Sequence, residues 1–592
     1  MKSIRLFTTV ALCGVLALAG CRNPLETGNS SGKVKLTLNL GQFTRAAAPS
    51  EYNYTVTLSG PDHEETHKVA KGVVSITLQV TAGAWNIRVE AYLEEELVYV
   101  GSAQVDVTPG KENRVSVSMK EPGSYTIAYH NIEEKNLRNQ DTGVSNQNPA
   151  SHSGKTALTL EEPVRTDGAS FAGWYRTANF LESGKVTEIP AGNIEDQEFW
   201  AKWTFPVKFH GIGGATKTTV PVTEGVAVSA GAYPVVELPG WDEANKQPIA
   251  TPCDAWYTTE FNDGSIAGAG TKWDLSGRIT GALDLYARWE AWDTEDFGSV
   301  NPVINGVYTI ENAADWTTLQ SVELGGIFTG GALSDAARES LNTGNYIVYV
   351  ERNITGVQLD GLLKGGKMSI RGNGSLAVGQ SNAPSTSNPN AILIVVGGQP
   401  DGPQQIVTLR GPDLIGDAYN NSSLVLALGG VFNLRSGAIK NNRSTYTPDV
   451  SVSIPDGSSG AASGGSFASS GGVYILLGGA FNMWGGSITG NTAFGADTSF
   501  GQGKGGGALV SNGTFTMYGG IISDNSASFT GGGIYVSSGG ILNIVSPAST
   551  ASIFDNHCAS GYADHSFLSN VDFAASGSVF QIDGVARSPS PW

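Results

Sequence analysis

Short runs in which apolar and polar residues alternate recur along most of the chain, and a period of two is the signature of strands with one buried face. Between Lys33 and Lys120 they read Val34-Lys35-Leu36-Thr37-Leu38, Val74-Ser75-Ile76-Thr77-Leu78 and Val115-Ser116-Val117-Ser118-Met119. Turn signals such as Ser59-Gly60-Pro61-Asp62 and Thr108-Pro109-Gly110 divide them. This spacing predicts a small β-sandwich over 33–120.

From Gly429 the alternating runs become a repeat. Val431-Phe432-Asn433-Leu434, Ala480-Phe481-Asn482-Met483, Thr514-Phe515-Thr516-Met517 and Ile541-Leu542-Asn543-Ile544 each point two apolar residues to one side, and each leads on to Ile-x-x-Asn. Ile439, Ile488, Ile522 and Ile553 step by 49, 34 and 31, as do Asn442, Asn491, Asn525 and Asn556. A unit this short cannot bury its apolar side alone, so stacked units must share a core. Glycine-led runs such as Gly471-Gly472-Val473-Tyr474-Ile475 and Gly531-Gly532-Gly533-Ile534-Tyr535-Val536 add a further strand per coil. The pattern predicts a parallel β-helix, carried back to residue 345 by less regular runs such as Tyr346–Val350 and Ala391–Val396. Before it, Asn312–Leu319 and Ser334–Leu341 each set a capping residue ahead of a short run that is apolar on one side, so a helical cap is expected within 291–344. The expected fold class is therefore all-β.

Two stretches between these regions are marked by their aromatics. Phe171-Ala172-Gly173-Trp174-Tyr175 closes in Phe199-Trp200-Ala201-Lys202-Trp203, and Leu238-Pro239-Gly240-Trp241 with Trp256-Tyr257 closes in Leu285-Tyr286-Ala287-Arg288-Trp289. A Gly-Trp pair followed by aromatic-Ala-basic-Trp resembles the internalin-type B repeat, also called the Listeria–Bacteroides repeat. That resemblance implies two small β-grasp-like modules over 121–203 and 204–290, with Trp174, Trp203, Trp241 and Trp289 as core residues. The stretch Ala82–Val107 resembles the immunoglobulin-like or transthyretin-like domains of surface lipoproteins, which implies a spacer. Gly-Gly-Ala/Ile paired with a later Ile-x-x-Asn resembles the repeats of polymorphic outer membrane proteins and of spirochaete surface β-helix proteins, which implies a right-handed coil over 345–592. No tract of ten-residue alternating strands for a membrane barrel follows the repeat.

The N-terminus adds an address. Lys2 and Arg5 precede an apolar run from Leu6 to Ala19, of signal-peptide length, that ends in Leu18-Ala19-Gly20-Cys21. This resembles the lipobox of bacterial lipoproteins and implies removal of residues 1–20 and acylation of Cys21. A polar tether, 21–32, follows. No later run is long and apolar enough for a membrane helix. The expected location is the cell envelope, lipid-anchored to the outer membrane and surface-exposed.

The net charge of −18, which becomes −20 when Lys2 and Arg5 are lost, argues against nucleic-acid binding. Cys13 leaves with the signal and Cys21 is acylated, so Cys253 and Cys558, far apart, make no disulfide framework.

A parallel β-helix is also an enzyme scaffold, so chemistry has to be sought in residues. Sugar cleavage needs converging carboxylates or a metal-held carboxylate cluster. No glutamate follows Glu351, the later aspartates fall singly, and the Asn-Thr-Asp, Asp-Asp and Arg-Ile-Lys set of polygalacturonase-like hydrolases is missing. Asp555, His557 and His565 form a local acid/base or metal candidate without a third ligand or nucleophile, and read as polar residues of the terminal coil. No catalytic residue, metal site or cofactor is expected.

Two ladders remain. The four asparagines are expected to stack at a coil corner and bond from coil to coil. Arg435, Trp484 and Tyr518 occupy one equivalent position that alternation points outward. Exposed, they would suit sugar rings or a partner protein; covered by the long 444–470 loop, they would be structural. The expected function is binding or adhesion at the cell surface without turnover, with a glycan or a host or partner protein as ligand. The alternatives are a polysaccharide lyase or glycoside hydrolase, and a structural envelope protein.

Overall fold

Alternation in the sequence becomes strand in the fold: the described residues are mostly β, 53% strand and 8% helical, with extensive parallel sheets. The computed structural model describes residues 33–43, 49–242, 244–245, 247–259, 271–299, 302–329, 332–379, 391–397, 402–445, 470–495, 503–545, 551–558, 570–573, 577–582 and 584–587. The expected signal segment, tether and Cys21 lie outside them, as does His565. Among the described residues no helix is long and apolar enough to cross a membrane. Contacts divide the chain into two units, Met1–Glu133 with Val144–Val164 and Phe171–Lys202, and Glu134–Gly143 with Arg165–Ser170 and Trp203–Trp592.

In the first unit, Val34–Phe43 runs between Ser75–Val80 (antiparallel) and Asn113–Met119 (parallel). A second sheet runs Glu64–Val69, Asn53–Ser59, Gly83–Leu93, Glu96–Val107, antiparallel throughout. The alternation buries Leu36, Leu38 and Leu40 with Val56, Leu58, Trp85, Ile87 and Val117 in one cluster. Trp85 fixes the neighbouring turn. Its ring lies where a Cβ on Gly60 would sit 2.5 Å from ring carbons, so only glycine fits. In the first aromatic module Trp174 and Phe199 are buried, and Trp174 Nε1 donates to the Glu161 carbonyl at 2.9 Å. The indole thus fills the core while its one polar atom is satisfied.

The long continuous part of the second unit starts at Trp203, with the second half of the strand Gln197–His210. That half pairs with Thr216–Thr223 and Leu283–Arg288. Phe205, Val207, Phe209, Trp256, Leu285 and Trp289 form its core, and the same cluster takes in Trp292, Phe297, Ile347 and Tyr349. The boundary expected near 290 is therefore not a break between cores. Across it runs a helix, α1 (Glu290–Phe297), closed by Gly298 at φ 74°.

Beyond α1 the chain passes repeatedly through sheets of ten, seven, six and four strands, parallel except where Val585–Arg587 folds back antiparallel on Val579–Ile582 at the end of the ten-stranded sheet. One pass runs Ala480–Met483, Ser487–Thr489, Thr492–Phe494, Ala508–Val510; the next runs Thr514–Met517, Gly520–Ser523, Ser526–Ala527, Ile534–Val536. Each strand is in register with its equivalent one pass later. Phe432, Phe481, Phe515, Leu542 and Phe580 are successive partners in the ten-stranded sheet. The first three rings stack at 5.3 and 4.9 Å, and all five lie in one continuous apolar cluster.

This ladder begins earlier than expected, at Gly306–Thr309. The two expected helices are present as α2 (Ala313–Thr318), with a capping box between Asn312 and Asp315, and α3 (Asp335–Leu341), capped by Ser334. Trp316 of α2 is fully buried at the head of the apolar column. α3 packs Ala337 and Leu341 with Ile394, Leu426 and Leu428 on the outer side of the six-stranded sheet.

Candidate functional site

In the ten-stranded sheet alternate residues leave the core, and register stacks them in columns. One outward column is polar: Asn482 Nδ2 donates to Asn433 Oδ1 at 3.0 Å, and Asn433 Nδ2 to Thr408 Oγ1 at 3.3 Å. The next outward column holds Arg371, Arg410, Arg435, Trp484 and Tyr518 on successive strands, with an irregularity at Arg435 that sets Ser436 opposite Arg410.

The aromatic end brings together the three residues singled out from the sequence. Trp484 and Tyr518 stack at 3.7 Å with 2° between their planes, and the Arg435 guanidinium lies 4.1 Å from the Trp484 ring centre. All three are half-buried. Both faces of Trp484 are therefore occupied, so it offers a ligand its edge and not a face.

A cover comes from an element the sequence did not implicate. The antiparallel hairpin Glu237–Asp242 with Gln247–Pro252 brings Trp241 against the column. A Cβ on Gly485 would meet Trp241 Cγ at 2.3 Å, and Ser436 Oγ donates to the Pro239 carbonyl at 3.1 Å. Trp241, expected in its module's core, instead lies outside that apolar cluster and is half-buried here. Its indole Nε1 is buried without a hydrogen-bond partner. Residues 446–469 of the loop expected as the cover lie outside the described residues.

The arginine end is an ion network. Arginines stacked at strand spacing repel one another, and the carboxylates of α1 neutralise them. Asp293 bridges Arg288 (3.0 Å) and Arg371 (2.8 Å). Asp296 bonds Arg410 at 2.8 Å, Arg371 at 3.4 Å and the Ser369 hydroxyl at 2.5 Å. Glu295 reaches Arg410 at 2.5 Å and Arg435 at 3.7 Å. Trp292 lies beneath the Arg410 guanidinium, 4.8 Å away. Burial alone would lift the Asp296 carboxyl, but the charge and hydrogen bonds of Arg410, then Arg371 and Ser369, hold it below the usual aspartate range.

At the opposite corner the asparagines form the expected ladder. Asn491 Nδ2 donates to Asn525 Oδ1 at 3.0 Å and Asn525 Nδ2 to Asn556 Oδ1 at 2.9 Å. It is longer than expected at both ends: Asn420 Nδ2 donates to Asn442 Oδ1 at 2.8 Å, and Asn556 Nδ2 to Asn570 Oδ1 at 2.9 Å. The left-handed φ values of Asn441, Asp524 and Asp555 mark the tight turns just before it.

Other carboxylates of the stack have local partners, Asp413 with Lys440 at 2.5 Å and Asp524 with the Ser523 hydroxyl at 2.9 Å. Asp555 and His557 are exposed, and the described residues contain no group of three metal-ligating side chains. Glu351 is the carboxyl that sequence reasoning passed over. Burial raises it, partly opposed by hydrogen bonds from Asn373. Cys253 and Cys558 are free thiols, and burial, then the Asp254 charge, pushes Cys253 up to about 11. No known family model matches the chain, and no curated protein or solved structure does either.

Proposed function

We propose that this chain is a lipid-anchored cell-surface binding or adhesion protein without catalytic turnover. On this reading residues 33–120 form a sandwich, two internalin-type B repeats follow, and the C-terminal region winds as a parallel β-helix whose lateral face meets the ligand. The observation that carries it is the column itself: regular passes hold Arg435, Trp484 and Tyr518 in one rigid, half-exposed row. Rigid aromatic edges beside an arginine lose little freedom on contact, which is the composition of protein interface hot spots. With the faces of Trp484 taken, a partner protein suits this row better than a sugar ring does.

The test is retention of beads coated with the mature chain on arrays of immobilised proteins and glycans. Paired Trp484→Ala and Tyr518→Ala substitutions should reduce retention on any protein spot about tenfold or more. Retention unchanged in the paired variant would remove the column from the reading. Arrays that stay empty would favour a structural envelope protein, and cleavage of uronic-acid or neutral polysaccharides would favour an enzyme, with Glu351 the first carboxyl to replace.

A further inference from the structure

In the first unit the strand ends Leu93 and Glu96 meet the connector after Met119 and the loop that carries Lys155. Between them is a cleft of about 270 Å³. Its floor is aromatic. Tyr52 and Tyr99 meet edge to face, with centroids 5.5 Å apart and planes at 73°, and both are buried. Leu93 stands at the lip, 45% exposed, an apolar side chain left in water at the mouth of a cavity. The rim is charged: Glu121 is exposed, and Lys155 Nζ bonds Glu96 Oε1 at 3.2 Å.

Three properties of this cleft select a ligand. Its volume lies just under the range of about 300–1,000 Å³ that takes drug-sized molecules, so one ring fits and two do not. An aromatic floor with an apolar lip accepts the C–H face of a ring, while hydroxyls around that ring reach rim groups. Lys155 and Glu96 neutralise each other, which leaves the Glu121 carboxylate as the net charge of the rim, so an anionic ligand is repelled. Burial, then Tyr99 and the nearby carboxylates, raises the Tyr52 phenol, which keeps its proton and hydrogen-bonds Tyr99. We propose that this cleft binds a single neutral sugar ring, such as the end of a glycan chain. The N-terminal module then has a role beyond spacing, independent of the Arg435–Trp484–Tyr518 column.

Saturation-transfer NMR on the mature chain tests this with the methyl glycosides of glucose, galactose, mannose and N-acetylglucosamine, and with methyl glucuronide as the anionic counterpart. At least one neutral glycoside should bind, and the glucuronide about tenfold more weakly or not at all. Glu121 and Leu93 are exposed, so the paired Glu121→Ala, Leu93→Ala chain keeps its fold, checked by circular dichroism, and should bind the sugar about tenfold less well. The paired Trp484→Ala, Tyr518→Ala chain should bind it unchanged. The proposal is overturned if no neutral glycoside binds, if the glucuronide binds as tightly, or if binding survives in the Glu121→Ala, Leu93→Ala chain.

Discussion

Replacing Asp296 with alanine is expected to destabilise the unit that contains it by about 3–5 kcal/mol, because breaking a buried ion pair from one side strands the opposite charge. Asp296 is 2% exposed and lies between two arginines that are 1% and 5% exposed. Without it Arg371 keeps Asp293 and Arg410 keeps Glu295, but two guanidiniums on adjacent strands lose the anion they share. Urea unfolding followed by tryptophan fluorescence measures the loss. Replacing Asp296, Arg371 and Arg410 together with apolar residues of similar size should cost much less, since the network orients α1 more than it stabilises the fold.

The same carboxyl sets an acid limit. A group whose native pKa is lowered contributes stability that is full above its unfolded value of about 3.9 and is lost as pH falls through the native value. The urea midpoint of the native chain should therefore drop below about pH 4, and the Asp296→Ala chain should show less of that drop.

Asn525→Ala is expected to be comparably damaging for a different reason. The side chain is fully buried and accepts from Asn491 N and Nδ2, both at 3.0 Å. Its Nδ2 lies 2.9 Å from each of Asn556 Oδ1, Ile488 O and Ser523 O, which share its two N–H groups. Alanine would leave several buried donors and acceptors unmade, at about 1–3 kcal/mol each and less than additive in sum. A loss of at least about 3 kcal/mol in urea unfolding is expected. Asn482→Ala, at the half-buried outward position, should cost only about 1 kcal/mol. Equal effects at the two sites would mean that the corner asparagines do not carry the stacking.

The repeat was legible because strict register makes each rung ask for the same residue type. Phe481 and Phe515 occupy one kind of site, as do Asn491 and Asn525, so the chain writes them the same way. Two earlier rungs were equally readable. Met368-Ser369-Ile370-Arg371 and Val407-Thr408-Leu409-Arg410 follow the pattern of Phe432-Asn433-Leu434-Arg435, and that match would have found the arginine column. The cap helices were legible through Asn312 and Ser334, whose side chains take the first free backbone N–H groups.

What stayed hidden depends on distant partners. α1 is a short helix in which Asp293 and Asp296 are buried, against the rule that acids face water, and apart from Arg288 beside Asp293 their partners are arginines 75 to 114 positions away. The strands Arg443–Thr445, Thr492–Phe494 and Ser526–Ala527 are too short to show a period. Trp241 deceived because an indole that fills a module core and one that packs on a neighbouring sheet look alike in sequence.

Stacked register underlies both the column and the corner ladder, and cysteine pairing tests it most directly. Asn433 and Asn482, 49 residues apart, are Cα partners on adjacent parallel strands, within the roughly 4.4–6.8 Å that a disulfide spans. In a chain of residues 21–592 with Cys21, Cys253 and Cys558 replaced by serine, Asn433→Cys with Asn482→Cys should oxidise rapidly to an intramolecular disulfide. Asn433→Cys with Trp484→Cys, two residues out of register and beyond about 7 Å, should not. Failure of the first pair to close, or equal closure of both, would contradict the stacked passes.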